Sequence, residues 1–238
     1  MGIFDLFSGK KGSSGAVQKL APKVADKRGM APDRWEAIQA LIKIDSEEAV
    51  DALLIRFTFY TDPTITDQEE KEGVFNAVVA KGQLSVPPLK RFLAKAESLS
   101  WPLKMLDRLL TAEDVLQMLL DMLSKMDTEY ERDPQRKLQI LAELETRRGA
   151  TVLEAVKPFL ADVHETARFH AVGAVLAQDN AEQAREALAA ALGREESVRI
   201  RARILDGFAA KGWSLDPALG AKLPDAFSLD ASGVPRRR

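Results

Sequence analysis

The chain has 238 residues, 46% of them hydrophobic and 29% charged, a formal net charge of −2 and no cysteine. The missing cysteines exclude disulfides, thiolate nucleophiles and Cys-based metal sites, and the slightly acidic balance argues against a dedicated nucleic-acid binder. The apolar runs are too short for a spanning helix, and Met1-Gly-Ile-Phe-Asp-Leu-Phe7 does not read as a signal peptide, so a cytoplasmic location is expected.

Residues 1–15 read as a flexible segment. Its apolar tip carries Ile3, Phe4, Leu6 and Phe7, and a Gly/Ser-rich stretch after it carries Lys10 and Lys11. A repeat domain over residues 16–212 opens with a lead-in helix near Val17 to Asp26. The helix after Asp33 places Trp35, Ile38, Leu41 and Ile42 on one stripe. Its companion from Glu47 aligns Val50, Leu53, Leu54 and Phe57. Tyr60 to Asp67 is a turn-rich link. Val74, Phe75, Val78 and Val79 then face one way before Lys81-Gly82, where the glycine marks a helix end. Pro87 and Pro88 enter the next helix, and Pro102 sits in the first turn of the one opening at Ser100, where its missing N–H costs little.

Thr111 starts a strongly apolar helix carrying Val115, Leu116, Leu119, Leu120 and Leu123. Asp133-Pro134 precedes a helix with Leu138, Leu141 and Leu144. Thr151-Val-Leu-Glu154 matches a capping box, Asn180-Ala-Glu-Gln183 is a looser form of it, and Pro158 should kink or end its helix. The last helix pair closes at Lys211-Gly212. Residues 213–238 have no helical period and read as an irregular capping tail, anchored by Phe227 and Leu229 and frayed at Arg236 to Arg238.

A register runs through these helices. Asp33, Asp67, Ser100, Asp133, Glu165 and Ser197 stand 34, 33, 33, 32 and 32 residues apart, and all but Glu165 are favoured helix-cap residues. Such a period, built from helix pairs, predicts an all-α chain: a right-handed superhelical α-solenoid of about five to six helical hairpins. Three segments also align with one another. They are Asp133-Pro-Gln-Arg136-Lys-Leu-Gln-Ile-Leu141, Glu165-Thr-Ala-Arg168-Phe-His-Ala171-Val-Gly-Ala-Val-Leu176 and Glu196-Ser-Val-Arg199-Ile-Arg-Ala202-Arg-Ile-Leu205. An acid or cap, then Arg, a small residue and Leu resembles the second helix of HEAT repeats, and Pro158 is similar to that family's kinked first helix. Over roughly residues 33–212 the chain therefore resembles the bacterial type of HEAT-repeat protein. The helix after Asp67 lacks the Arg, and the one after Ser100 has only Lys104 near that place. The tetratricopeptide and ankyrin signatures are absent.

The resemblance implies a structural role for Arg136, Arg168 and Arg199, each pairing with an acid of a neighbouring repeat. The other reading makes them, with His170 and Arg203, a basic protein-binding strip on the concave face. Arg147, Arg148, Arg194 and Arg201 thicken the positive charge there. His164 and His170 lie six residues apart and do not align on a helix face, so no metal site or catalytic relay is expected. Acid pairs such as Glu47-Glu48 are explained by the helix dipole, no Gly-rich phosphate loop follows a strand, and the tryptophans read as packing residues. No catalytic residue, cofactor or metal is expected.

These readings converge on a non-enzymatic scaffold or adaptor that binds a protein partner through the concave face of the stack, with nucleic acid not expected as a partner. Two alternatives share the fold. HEAT-like alkylpurine DNA glycosylases have nearly this length and set aromatic residues in a basic groove, for which Phe169 and Phe208 are on offer. Bilin-attachment lyases also resemble HEAT stacks. The N-terminal tip, Ile3, Phe4, Leu6, Phe7, Lys10 and Lys11, resembles the apolar-then-basic membrane-targeting ends of some bacterial peripheral proteins. Three or four such side chains, at about 1.5–3 kcal/mol each, would give weak, reversible membrane-surface contact, or docking in a groove of a partner or of the chain itself.

Overall fold

A computed structural model describes residues 5–220 and 223–238, with side chains from Ser14 onward. It is mostly helical, at 68%. The chain divides into two compact units, Met1–Val115 and Leu116–Arg238. The first holds α1 (Asp5–Ala25), α2 (Ala31–Ile42), α3 (Glu47–Leu54), α4 (Thr64–Ala80), α5 (Val86–Leu93) and α6 (Ser100–Leu109), and the division falls inside α7 (Ala112–Leu123). The second holds α8 (Gln135–Leu144), α9 (Val152–Val156), α10 (Glu165–Leu176), α11 (Arg185–Arg194), α12 (Val198–Lys211) and the short α13 (Pro217–Gly220). It ends in an antiparallel ribbon of β1 (Phe227–Leu229) and β2 (Pro235–Arg237).

The expected helix starts hold, but the expected capping chemistry holds only in part: the Asp133 carboxylate accepts from the Gln135 N–H at the start of α8 at 3.2 Å. Each of the six register residues lies within three positions of the first residue of α2, α4, α6, α8, α10 or α12. None of these helices receives a side-chain cap bond from its N-cap residue. The side chains are engaged elsewhere: Asp67 with Arg56 and Lys71, Glu165 with Ser197 and Arg199. The capping boxes also fail, for a backbone reason. Thr151 (φ −93°, ψ −12°) and Asn180 (φ −91°, ψ 19°) are not extended, as a cap must be. Ser46 is extended (φ −149°, ψ 155°), and its hydroxyl accepts a bond from the Ala49 N–H at 3.2 Å.

Helix ends follow the sequence more closely. Gly82 (φ +58°) and Gly212 (φ +67°) take the left-handed conformation just past α4 and α12. Around Pro158 the α9 helix gives way to a 3-10 turn over Lys157–Ala161, because proline removes the N–H that an α-turn would use. α1 starts at Asp5, so the segment expected as a flexible linker is helical from there on. The tail is also more regular than expected. Phe227 is buried and Leu229 half-buried, as anchors should be. Arg236 and Arg237, expected to fray, pair with Asp230 and Asp206.

Within each unit a helix packs on its sequence neighbour and also on the helix one repeat away. In the first unit α2 lies on α4 and α4 on α6, while α1 lies on α3 and α3 on α5. In the second, α8, α10 and α12 pack in succession, and α11 packs on the 3-10 turn after α9. Apolar stripes dictate this: in α2 the buried residues are Arg34, Ala37, Ile38 and Leu41, one helix face. α10 is flanked on both sides and is buried through small residues, Ala167, Ala171, Gly173 and Ala174, which let its neighbours approach. Gly207 of α12 lies under Leu176 of α10; a methyl added there would stand 2.4 Å from the leucine.

Candidate protein-binding site

In the second unit the predicted basic strip is a set of internal ion pairs. Arg168, the fourth residue of α10, donates through Nε and Nη2 to Glu195 at 2.7 and 2.9 Å and through Nη1 to the Asp162 carbonyl at 2.9 Å. Arg199 on α12 reaches back to Glu165 at 2.7 Å. Arg203 crosses α10 to pair with Glu145 just past the end of α8, and His170 Nδ1 meets the same carboxylate at 2.6 Å. Gly173 makes the crossing feasible, since a methyl there would stand 2.1 Å from the Arg203 guanidinium. The Phe169 ring lies under both guanidiniums, with Arg203 at 4.1 Å and Arg199 at 4.7 Å from its centroid.

Burial alone would raise the Glu145 and Glu195 carboxyls. The hydrogen bonds from His170 and Arg203, and from Arg168 and the Ser197 N–H, outweigh it and hold both below the usual range. The Glu195 bonds in turn raise the Arg168 pKa, while burial lowers that of Arg136. The pairing role thus describes Arg168, Arg199 and Arg203, whose charge is already matched by Glu195, Glu165 and Glu145. Arg136 lies on α8 and takes no part in these three pairs. Phe208, offered above as a base-facing aromatic, is fully buried edge-on against Trp213.

The first unit holds a counterpart that the sequence pattern missed. Arg34, the fourth residue of α2, donates to both oxygens of Glu70 at 2.8 and 3.0 Å and to the carbonyls of Asp26 and Gly29 in the preceding loop. Glu70 also accepts from Arg56 at 2.6 Å, Arg56 continues to Asp67 at 2.7 Å, and Lys71 closes the chain on Asp67 at 2.8 Å. All five side chains are buried. Arg34 and Arg168 hold the same helical position and do the same work. The acid-then-Arg spacing of the later repeats does not mark Arg34, because the residue three before it is Ala31 and Asp33 lies inside the helix.

Exposed apolar groups gather at one place in the repeat. In the first unit, Met30 and Ile65 stand at the starts of α2 and α4. In the second, Val163 and Val198 stand at or just before the starts of α10 and α12, and Tyr130 lies in the loop five residues before α8, as Tyr60 lies four before α4. A backbone bond from the Val163 N–H to the Thr128 carbonyl at 3.0 Å ties the start of α10 to the loop before α8. Trp35, expected to be a packing residue, is 37% exposed. Its ring lies on Gly73 of α4, where a methyl would stand 2.6 Å away, and it walls a cavity of about 470 Å³ with Ala31, Pro32, Thr66, Glu69 and Glu70. Trp101 fits the packing reading, resting on Phe57 and Phe75.

Ile3 and Phe4 lie outside the described residues, as do the side chains of Leu6, Phe7, Lys10 and Lys11. Among the described residues no helix is long and apolar enough to cross a membrane, and no group of three or more His, Asp or Glu residues is placed to hold a metal ion. No family model matches this chain, and no curated protein or solved structure matches it either.

Proposed function

We propose that this chain is a HEAT-like α-solenoid working as a non-enzymatic adaptor, and that it holds a protein partner along the even-numbered helices of its second unit. The packing order within each unit supports the solenoid reading, because stacked hairpins bring helices one repeat apart side by side. Arg34 and Arg168 add to it, each joining its helix to the next repeat.

The observation that carries the function is the register of exposed apolar side chains. Met30 and Ile65 are 35 residues apart in the first unit, and Tyr130, Val163 and Val198 follow at 33 and 35 in the second. Apolar residues scattered singly over a surface are ordinary. These five recur near the starts of repeat helices, and the core does not use them. A rigid row of this kind suits binding, since little chain has to be ordered when a partner arrives.

The test is a chain carrying Tyr130→Ser, Val163→Ser and Val198→Ser. These side chains are 82%, 54% and 68% exposed, so each change should alter stability by no more than about 0.5 kcal/mol. The intact chain is expected to capture a protein from nuclease-treated native lysate, and the folded variant to lose it. Capture of the same protein at equal strength would overturn the assignment.

A further inference from the structure

The Trp35 cavity is lined almost wholly by apolar surface, and the exposed charge of α2 and α4 themselves is of one sign, although Lys27 and Arg28 are exposed in the loop before α2. On α2 and α4 the solvent-facing charged residues are Asp33, Glu36, Glu69 and Glu72. The basic residues of the two helices, Arg34 and Lys71, are buried and paired. Asp33, Glu36 and Glu69 have no ion pair among the described residues, whereas Glu47, Asp51, Asp67, Glu70 and Glu165 each meet a cation. Acid in a first turn is favoured by the helix dipole, which accounts for Asp33. It does not account for Glu69 and Glu72, in the second and third turns of α4 beside an exposed tryptophan. Met30 and Ile65, 69% and 72% exposed, extend the apolar surface at the helix starts. The occupant that fits is an apolar segment followed by positive charge.

The chain contains such a segment at its N-terminus. Ile3, Phe4, Leu6 and Phe7 precede Lys10 and Lys11, with Asp5 as the only acid among residues 1–11. The described part of α1 leads away from the cleft of its own chain. α1 runs antiparallel to α2, its last residues beside the start of α2, where Arg34 holds the Asp26 and Gly29 carbonyls. Ser14 already lines the hollow at the far end of α2 with Lys43, Ile44 and Asp45, and α1 continues from there to Asp5, away from the cleft.

We infer that the cleft between α2 and α4 receives residues 1–11 of a second copy, with apolar side chains entering beside Trp35 and Lys10 and Lys11 meeting Glu69 and Glu72. The contact is head-to-tail, so each copy keeps one free cleft and one free tip, and association is open-ended. This goes beyond the adaptor reading and does not depend on the Tyr130–Val163–Val198 row.

Sedimentation of the full chain over a range of concentration and salt tests it. The mean mass is expected to rise with concentration and to fall as salt screens the lysine–carboxylate pairing. A tip variant (Phe4→Ser, Phe7→Ser) and a cleft variant (Trp35→Ala, Glu69→Lys) should each be monomeric, with association weakened about tenfold or more. Mixed together they should form dimers and nothing larger, because one intact cleft meets one intact tip. Should Trp35→Ala fail to fold, Glu69→Lys alone must weaken association, and mixing it with a Lys10→Glu, Lys11→Glu chain must restore it. A wild-type chain that stays monomeric at high concentration overturns the inference, as does association that survives in both variants. A monomer that still captures a partner through Val163 and Val198 would refute self-docking and leave the adaptor reading intact.

Discussion

Glu70 shows how unequal the ion pairs of this protein are. It sits between two buried guanidiniums, so Glu70→Ala leaves Arg34 buried without a carboxylate and Arg56 with Asp67 alone. Removing one member of a buried pair costs about 3–5 kcal/mol, most of it from the charge left behind. Arg199 pairs with Glu165 at the same distance class but in the open, with both side chains nearly half exposed. Exposed pairs contribute about 0–1 kcal/mol, since water and salt screen them. Urea unfolding should therefore separate the two: Glu70→Ala is expected to lower stability by several kcal/mol and Arg199→Ala by less than about one. Equal effects would mean that burial does not set the strength of these bonds.

Among the elements, α10 is the most constrained. It is packed by α8 and α12, and Arg203 spans it at Gly173 to reach Glu145. Gly173→Ala puts a methyl where the guanidinium lies, so either the ion pair parts or the helices separate. Forcing extra volume into such a contact typically costs about 1–3 kcal/mol. Amide hydrogen exchange should show faster opening in α8, α10 and α12, with α2–α4 unchanged. If Gly173→Ala in a chain that also carries Arg203→Ala costs as much as it does alone, the Arg203 crossing is not what the glycine serves. This element was only partly legible beforehand. The small residues of α10 were visible as a periodic pattern, but a glycine kept for an arginine thirty residues away has no local signature.

For the molecule as a whole, the acidic partners set how stability depends on pH. Asp67, Glu145 and Glu195 are each held below their ordinary values against an opposing burial effect: Asp67 by Lys71 and Arg56, Glu145 by His170 and Arg203, Glu195 by Arg168. A carboxylate with a lowered folded pKa stabilises the fold above its unfolded value, about 4, and that stability is lost as pH falls through the folded one. Stability should thus be nearly flat from neutral pH down to roughly 4.5 and then fall steeply. Glu145→Gln should be less stable at neutral pH and show a shallower fall in acid. A wild-type chain losing stability between pH 7 and 5 would place the controlling groups elsewhere.

Periodicity and local chemistry determined most of the architecture. The 32–34-residue register located the starts of six helices, glycines located two helix ends, and Pro158 located the α-to-3-10 change, because each acts through its own backbone or its own helical face. The side-chain partners were decided only by the tertiary structure. Arg34 finds Glu70 36 residues away and Arg203 finds Glu145 58 residues away. The exposure of Trp35 depends on where α4 presents a glycine. Periodicity says which face of a helix is covered, but not what covers it, and the pairing of buried charges and the opening of a cleft belong to that second question.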